Sequence, residues 1–182
     1  MNELSFKRVR TNESDYSFSE DLLLSAFPEN EHRDIAEQRD NVDNNPLFHN
    51  IIIYKEKQPI GFIAYWKFEG FCYIEHLATS PDVRNGGYGK KILEQLHQTL
   101  QTPVVLEVEK PEEEMSRRRI GFYERLGYRL LDIPYVQPPY RKSDPFFPMH
   151  LMVYDPEGLI KDINPLRQNI YQHVYHYSPE IA

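Results

Sequence analysis

Between Arg84 and Lys91 the chain places three glycines and three positive charges in eight residues, Arg84-Asn85-Gly86-Gly87-Tyr88-Gly89-Lys90-Lys91. Glycines let a backbone turn sharply and let a ligand come close to it. Helical apolar spacing begins immediately afterwards, so the run sits at a helix N-terminus, where backbone N–H groups lack intrahelical partners and the dipole is positive. That is a place to hold a phosphate. Lysines in a first turn oppose the dipole, so Lys90 and Lys91 point to an anionic partner; the same run would also serve as a plain helix cap with two solvated lysines. Two other phosphate loops fail on spacing. A dinucleotide fingerprint needs a small residue three positions after Gly89, where Ile92 stands, and a Walker loop needs glycine at Arg84 and a hydroxyl at Lys91.

The elements around this turn follow from apolar periodicity. Phe71 to Thr79 is rich in β-branched and aromatic residues and reads as a strand, stopped by Ser80-Pro81-Asp82. Tyr88, Ile92, Leu93, Leu96 and Leu100 recur at helical spacing. Upstream, Ile51 to Tyr54 and Ile60 to Phe68 are strands, and the Glu69-Gly70 turn makes the strand from Phe71 antiparallel to its predecessor. Ser5 to Arg10 is a first strand, and Phe18, Leu22, Leu23 and Phe27 mark a helix ended by Pro28. The charged stretch from Glu29 to Asn45 reads as a solvated helix.

Downstream, Val104 to Glu109 is a strand, and strand, helix, strand implies a parallel crossover. An acidic helix start at Pro111-Glu112-Glu113-Glu114 leads through Met115, Arg119, Phe122 and Leu126 to a Gly127 cap. Tyr128 to Ile133 reads as a strand, a proline-rich loop follows, and Met149 to Tyr154 is the last strand. Leu166, Ile170 and Val174, four apart, predict a short amphipathic helix in the tail.

With 182 residues, one domain is the default, burying roughly 70 per cent of its unfolded surface. Lys plus Arg number 21 against 28 Asp plus Glu, and the net charge of −7 argues against phosphate-driven nucleic-acid binding. A single cysteine, Cys72, excludes an intramolecular disulfide and suits a reducing compartment. No leader pattern or membrane-length apolar run is present, so the expectation is a cytoplasmic protein without a membrane partner. His173 and His176 stand three apart without a third ligand nearby, so no metal is expected.

Two motifs carry a family resemblance. Leu77-Ala78-Thr79-Ser80-Pro81 followed by Arg84-x-x-Gly87-x-Gly89 resembles the acetyl-CoA-binding motif of the GNAT (Gcn5-related N-acetyltransferase) superfamily, with Thr79 at the usual valine. Gly121-Phe122-Tyr123-Glu124-Arg125-Leu126-Gly127-Tyr128 is similar to its Phe-Tyr-Glu-Lys-Leu-Gly-Phe signature. The resemblance covers roughly Ser5 to Tyr154. It implies an α/β (α+β) fold, a mixed, mostly antiparallel central sheet flanked by helices, with a splayed parallel strand pair admitting the pantetheine arm. The expected organisation is a single domain over 1–182, with 155–182 as a C-terminal helical tail.

Carried over by position, the resemblance puts Leu77, Ala78 and Thr79 beside the acetyl and pantetheine groups of acetyl-CoA. It puts the backbone of Arg84, Asn85, Gly86, Gly87, Tyr88, Gly89 and Lys90 on the pyrophosphate. Tyr123 matches the tyrosine that protonates the departing thiolate. Ser116 and Arg119 stand where many members carry Asn and Ala, so Ser116 replaces the Asn contact only in part. An amine acceptor is mostly protonated at pH 7 and needs a base. Glu107 resembles a strand glutamate that acts as base in one branch of the family, and Glu75 lies on the facing strand. The implied activity is acetyl-CoA-dependent N-acetyl transfer to an amine in a ternary complex. The alternative is a non-catalytic acyl-CoA-binding module, motivated by Ser116 and Arg119. The acidic residues between Glu29 and Asp43 suggest a cationic acceptor, and Arg141 with Lys142 the opposite. The aromatic tail leaves a homodimer open.

Overall fold

The computed structural model describes residues 3–179. The chain divides into two compact units, one formed by the chain up to Lys67 with Ile74–Gln101, the other by Phe68–Tyr73 with the chain from Thr102 onward. The architecture is mixed α/β, with mostly antiparallel strands and one parallel pair.

The first unit holds β1 (Leu4–Arg8), α1 (Tyr16–Ala26), α2 (Ile35–Asn44), β2 (Phe48–Lys55), β3 (Gln58–Phe68), most of β4 (Phe71–Thr79) and α3 (Tyr88–Leu100), in strand order β1-β2-β3-β4. β2 pairs antiparallel with β1 and β3, and its register shifts at Ile53/Tyr54. α1 and α2 pack on β2. Among the described residues neither has a side-chain cap at its N-terminus, and the start of α1 and the last turn of α2 are tied by side chains to neighbouring segments. Asp15 accepts from the Lys7 ammonium at 2.8 Å and the Tyr54 hydroxyl at 2.6 Å, and Asp43 accepts from the Thr11 N–H at 2.9 Å and from its hydroxyl. The core is β-branched and aromatic, with Ile52, Ile53, Ile60, Ile63 and Trp66 wholly buried. In α3 the expected apolar stripe is buried at Ile92, Leu93 and Leu96, each contributing about 1.5–3 kcal/mol.

The second unit continues from the first residues of β4 to β5 (Val104–Glu109), α4 (Glu114–Arg125), β6 (Arg129–Leu130), β7 (Val136–Gln137), β8 (Phe147–Tyr154) and α5 (Asn164–Asn169). Strand order is β4-β5-β8-β6, with β7 also on β8. The parallel pair is β4 with β5, where the Cys72 N–H donates to Pro103 O at 2.8 Å. Gly127 follows α4 at φ 94°, and its N–H reaches Glu124 O at 3.0 Å, as a C-terminal glycine should. α5 runs into a π-helical turn, Ile170–Val174, and the expected tail stripe is buried at Leu166, Ile170 and Val174.

Three expectations need correction. The stretch from Glu29 to Asn45 is a 3-10 turn at Glu29–Glu31 followed by α2, and it is not simply solvated, because Arg33, Gln38, Asn41 and Val42 are buried. The strand expected from Tyr128 to Ile133 is cut to Arg129–Leu130, ahead of Pro134, which cannot donate to a ladder. Inside the proline-rich loop, Val136 and Gln137 pair with Pro148 and Phe147. Among the described residues, no helix is long and apolar enough to cross a membrane.

Gly61 explains itself by close approach. A Cβ there would stand 2.7 Å from the Ala78 carbonyl oxygen and 3.3 Å from Thr79 Cα, so β3 tolerates no side chain against this part of β4. Gly61→Val should therefore lower stability by about 1–3 kcal/mol, read as a lower urea midpoint at unchanged slope.

Candidate active site

The first unit carries the glycine turn. β4 ends at Thr79, the Ser80 N–H donates to Ile60 O at 2.7 Å, and a 3-10 turn at Pro81–Val83 leads into the loop. Asn85 and Gly87 both take positive φ, 67° and 74°, and Gly87 is the N-cap of α3. Among the described residues no side chain caps this helix, and no acidic residue occupies its first turn, so its N–H groups are available to an anion. A Cβ on Gly86 would meet the Tyr88 ring at 2.7 Å, whereas one on Gly87 would meet nothing within 4 Å. Arg84, Asn85, Gly86 and Gly87 are exposed. The Lys55 and Lys91 ammonium groups lie 5.4 and 5.3 Å from the Tyr88 ring centre, while Lys90 is paired with Glu94 at 3.8 Å. The two lysines at the turn thus differ, one on an aromatic face and one sharing its charge along the helix.

β4 brings Glu75, Leu77, Ala78 and Thr79 ahead of this turn, the last three partly exposed. The Glu75 side chain is 0% exposed although the residue keeps partial exposure, so solvent reaches its backbone and not its carboxylate. That carboxylate accepts from Arg33 Nη2 at 2.5 Å and from Trp66 Nε1 at 2.9 Å. Arg33, 1% exposed, also donates to Gln38 Oε1 at 2.5 Å and lies over the Phe48 and Trp66 rings. Glu75 is held in a buried ion pair.

The second unit brings a different carboxylate together with tyrosines. Glu107 Oε1 accepts from the hydroxyls of Tyr73 at 2.8 Å, Tyr175 at 2.8 Å and Tyr135 at 3.1 Å, and Oε2 accepts from Gln137 Nε2 at 2.9 Å. Every one of these donors is neutral, and no cation pairs with Glu107 among the described residues. Burial pushes the Glu107 carboxyl above the usual carboxylate range, and the hydrogen bonds from Tyr73, Tyr175, Gln137 and Tyr135 oppose that shift. The hydroxyls of Tyr135 and Tyr175 are pushed up by their own burial and by the carboxylate beside them.

In α4 of the same unit, Tyr123 packs edge-on against Phe122 and Tyr128, with ring centres 5.2 and 5.3 Å apart. Burial raises its hydroxyl, the Arg119 charge opposes this, and no hydrogen bond to the hydroxyl exists among the described residues. Ser116 is buried and donates to Glu109 Oε2 at 3.1 Å. Sequence reasoning picked out Glu107 and Tyr123 and missed the donors Tyr135, Tyr175 and Gln137, which reach Glu107 from 28, 68 and 30 positions away. Their only trace was the recurrence of tyrosine in the proline-rich loop and in the tail.

Residues 15–128 match the profile described as the Acetyltransferase (GNAT) family, which spans both sequence motifs. The chain belongs to this family. It is similar in structure to a Bacteroides thetaiotaomicron protein assigned to the same family, at 45% identity and TM-score 0.91 over 96% of this chain and 99% of that one. It also shares its fold with Arabidopsis thaliana NAA60, solved with acetyl-CoA, at 18% identity and TM-score 0.64, covering 86% of this chain and 100% of that one. The ribosomal-protein-S18-alanine N-acetyltransferase of Escherichia coli is a further structural neighbour, at 18% identity and TM-score 0.57 over 87% and 99%. Among curated protein sequences, none matches significantly.

Because Glu75 holds a buried guanidinium, Glu75→Ala should cost about 3–5 kcal/mol of stability, as removing one partner of a buried pair does. Chemical denaturation checks this. A variant as stable as wild type would show that the pair is not structural.

Proposed function

We propose that the protein is an acetyl-CoA-dependent N-acetyltransferase that moves an acetyl group to an amine by direct attack in a ternary complex. The observation that carries this reading is the uncapped α3 N-terminus behind a positive-φ glycine turn, in a chain that belongs to the GNAT family. The backbone from Arg84 to Lys90, with Arg84 and Lys91, fits a pyrophosphate. Leu77, Ala78 and Thr79 are the residues to line the acyl arm, and Ser116, engaged with Glu109, adds at most a secondary contact. Bound acetyl-CoA supplies the activated acetyl group. Cys72, buried and without a second cysteine in the sequence to form a disulfide, suits a reducing compartment such as the cytoplasm.

Of the two candidate bases, Glu107 is the one this reading favours. Glu75 accepts a proton only by giving up an arginine, whereas Glu107 is ringed by neutral donors. Glu107 takes the proton from the acceptor ammonium, directly or through a tyrosine hydroxyl or one water, leaving a neutral amine whose nitrogen attacks the thioester carbonyl. Tyr123, with a hydroxyl not engaged among the described residues, returns a proton to the departing thiolate. A cationic amine is the acceptor class that an otherwise unpaired carboxylate suits.

Calorimetric titration with acetyl-CoA is the first test. Wild type should bind, and Gly87→Trp, confirmed folded by circular dichroism, should not. Absence of binding by wild type would remove the coenzyme reading, and binding without thiol release across an amine panel would favour a non-catalytic module. Glu107→Gln should lower kcat/KM by about 10²–10⁴-fold, and Tyr123→Phe should lower kcat. A base works only deprotonated, so kcat/KM should rise with pH along a limb set above the usual carboxylate range, because burial raises Glu107. Glu107→Gln should abolish that limb.

A further inference from the structure

The family match ends at residue 128, yet the Glu107 cluster draws three of its four donors from beyond that point: Tyr135, Gln137 and Tyr175. Tyr175 stands immediately after the π-helical turn of the tail. Its hydroxyl donates to Glu107 Oε1 at 2.8 Å, accepts from Gln137 Nε2 at 3.0 Å, and lies 3.3 Å from the Tyr73 hydroxyl. Gln137 Nε2 in turn uses both hydrogens, one on Glu107 and one on Tyr175. The tail residue is thus bonded to both groups that share the carboxylate with it from β4 and β7. We infer that Tyr175 is a positioning residue for Glu107, so that the C-terminal segment sets the orientation and proton affinity of the base.

Three observations make this more than packing. A tyrosine used only to fill space needs no hydroxyl partner on a carboxylate, and Phe would fill the same volume. The tail is anchored on both sides of Tyr175 by bonds that do not involve Glu107: the Tyr171 hydroxyl donates to Val136 O at 2.5 Å and the Tyr177 N–H to Tyr171 O at 2.9 Å. The hydroxyl is therefore held at the carboxylate by its neighbours, which is how a hydrogen bond can tune rather than merely follow its partner. Among the described residues, the groups facing Glu107 are few. They are Tyr73 from β4, Tyr135 ahead of β7, Gln137 on β7 and Tyr175 on the tail, while Leu151 is its β8 ladder partner. Around them stand Tyr140, which packs on Tyr175 at 5.1 Å, Tyr171, which packs on Tyr135 at 5.7 Å, and Arg167, whose charge acts on Tyr135 and Tyr171. Each donor bond favours the ionised carboxylate, so losing one must make Glu107 hold its proton to higher pH.

The role rests on the acetyl-transfer reading, but its test need not. Tyr175→Phe keeps the ring against Tyr140 and deletes only the hydroxyl. With side-chain carboxyls carrying carbon-13, and the Glu107 signal assigned through Glu107→Gln, NMR titration should show Glu107 protonating at higher pH in Tyr175→Phe than in wild type. Gln137→Leu, which removes a donor to both groups, should move the titration in the same direction. Tyr177→Phe, a tail tyrosine whose hydroxyl does not touch Glu107, should leave it where it is. In the transfer assay the acidic limb of kcat/KM should move up with the NMR value, with a loss on the order of tenfold below the limb and convergence with wild type above it. An unchanged Glu107 titration in a folded Tyr175→Phe overturns the assignment and leaves the tail as packing alone. A wild type that turns over no amine sinks the transfer reading, and the NMR titration then decides the tail's role by itself.

Discussion

A carboxylate removed from water must be met by a countercharge or by enough hydrogen bonds to replace its hydration, and each unit of this protein answers that demand differently. In the first, Glu75 is neutralised by Arg33, itself wholly enclosed and backed by Gln38, Phe48 and Trp66. In the second, Glu107 receives four neutral donors and no cation among the described residues. The first solution engages the charge in a buried ion pair and, through Arg33, links Gln38 of α2 to Glu75 of β4. The second keeps a charge in reserve. That difference, rather than the position of either glutamate in the sequence, is what distinguishes the two carboxylates.

The arrangement also shows how little of the local folding is decided by capping. Among the described residues, α1, α2 and α3 have no side-chain cap at their N-termini. Asp15, at the N-cap position of α1, is spent instead on lysine and tyrosine partners from neighbouring segments. For α1 the consequence is a tertiary tie in place of a local one. For α3 it is an N-terminus left open behind Gly87, where a positive φ of 74° suits a residue without Cβ.

How much of this was legible depended on whether a signal was periodic or distant. β4 and β5 were bounded correctly at Phe71–Thr79 and Val104–Glu109, since runs of apolar and β-branched residues broken by proline leave little freedom. The glycine turn and the tail stripe at Leu166, Ile170 and Val174 were readable for the same reason. Arg33 was not, because a charged residue in a charged stretch looks solvated until its partner, 42 positions later, is known to be buried. The short strands failed in another way: Val136 and Gln137 are too few to show alternation, and their pairing is imposed by β8. Glu107 and Tyr123 could be named through a resemblance, but the ring of donors around Glu107 is long-range and has no spacing.

The π-turn at Ile170–Val174 has its own consequence for how this chain can vary. A π-turn takes more residues per turn than an α-helix, so it resets the angular phase of whatever follows. Here Tyr175 follows at once, between the fixed points made by Tyr171 and Tyr177. Side chains along the outer surface of that turn can change with little effect on where Tyr175 points. Adding or removing a single residue there would swing it round the helix axis, by roughly 100° on an α-helical path. Relatives should therefore accept substitutions in this segment far more readily than insertions or deletions, and its length, more than its composition, is what selection would see.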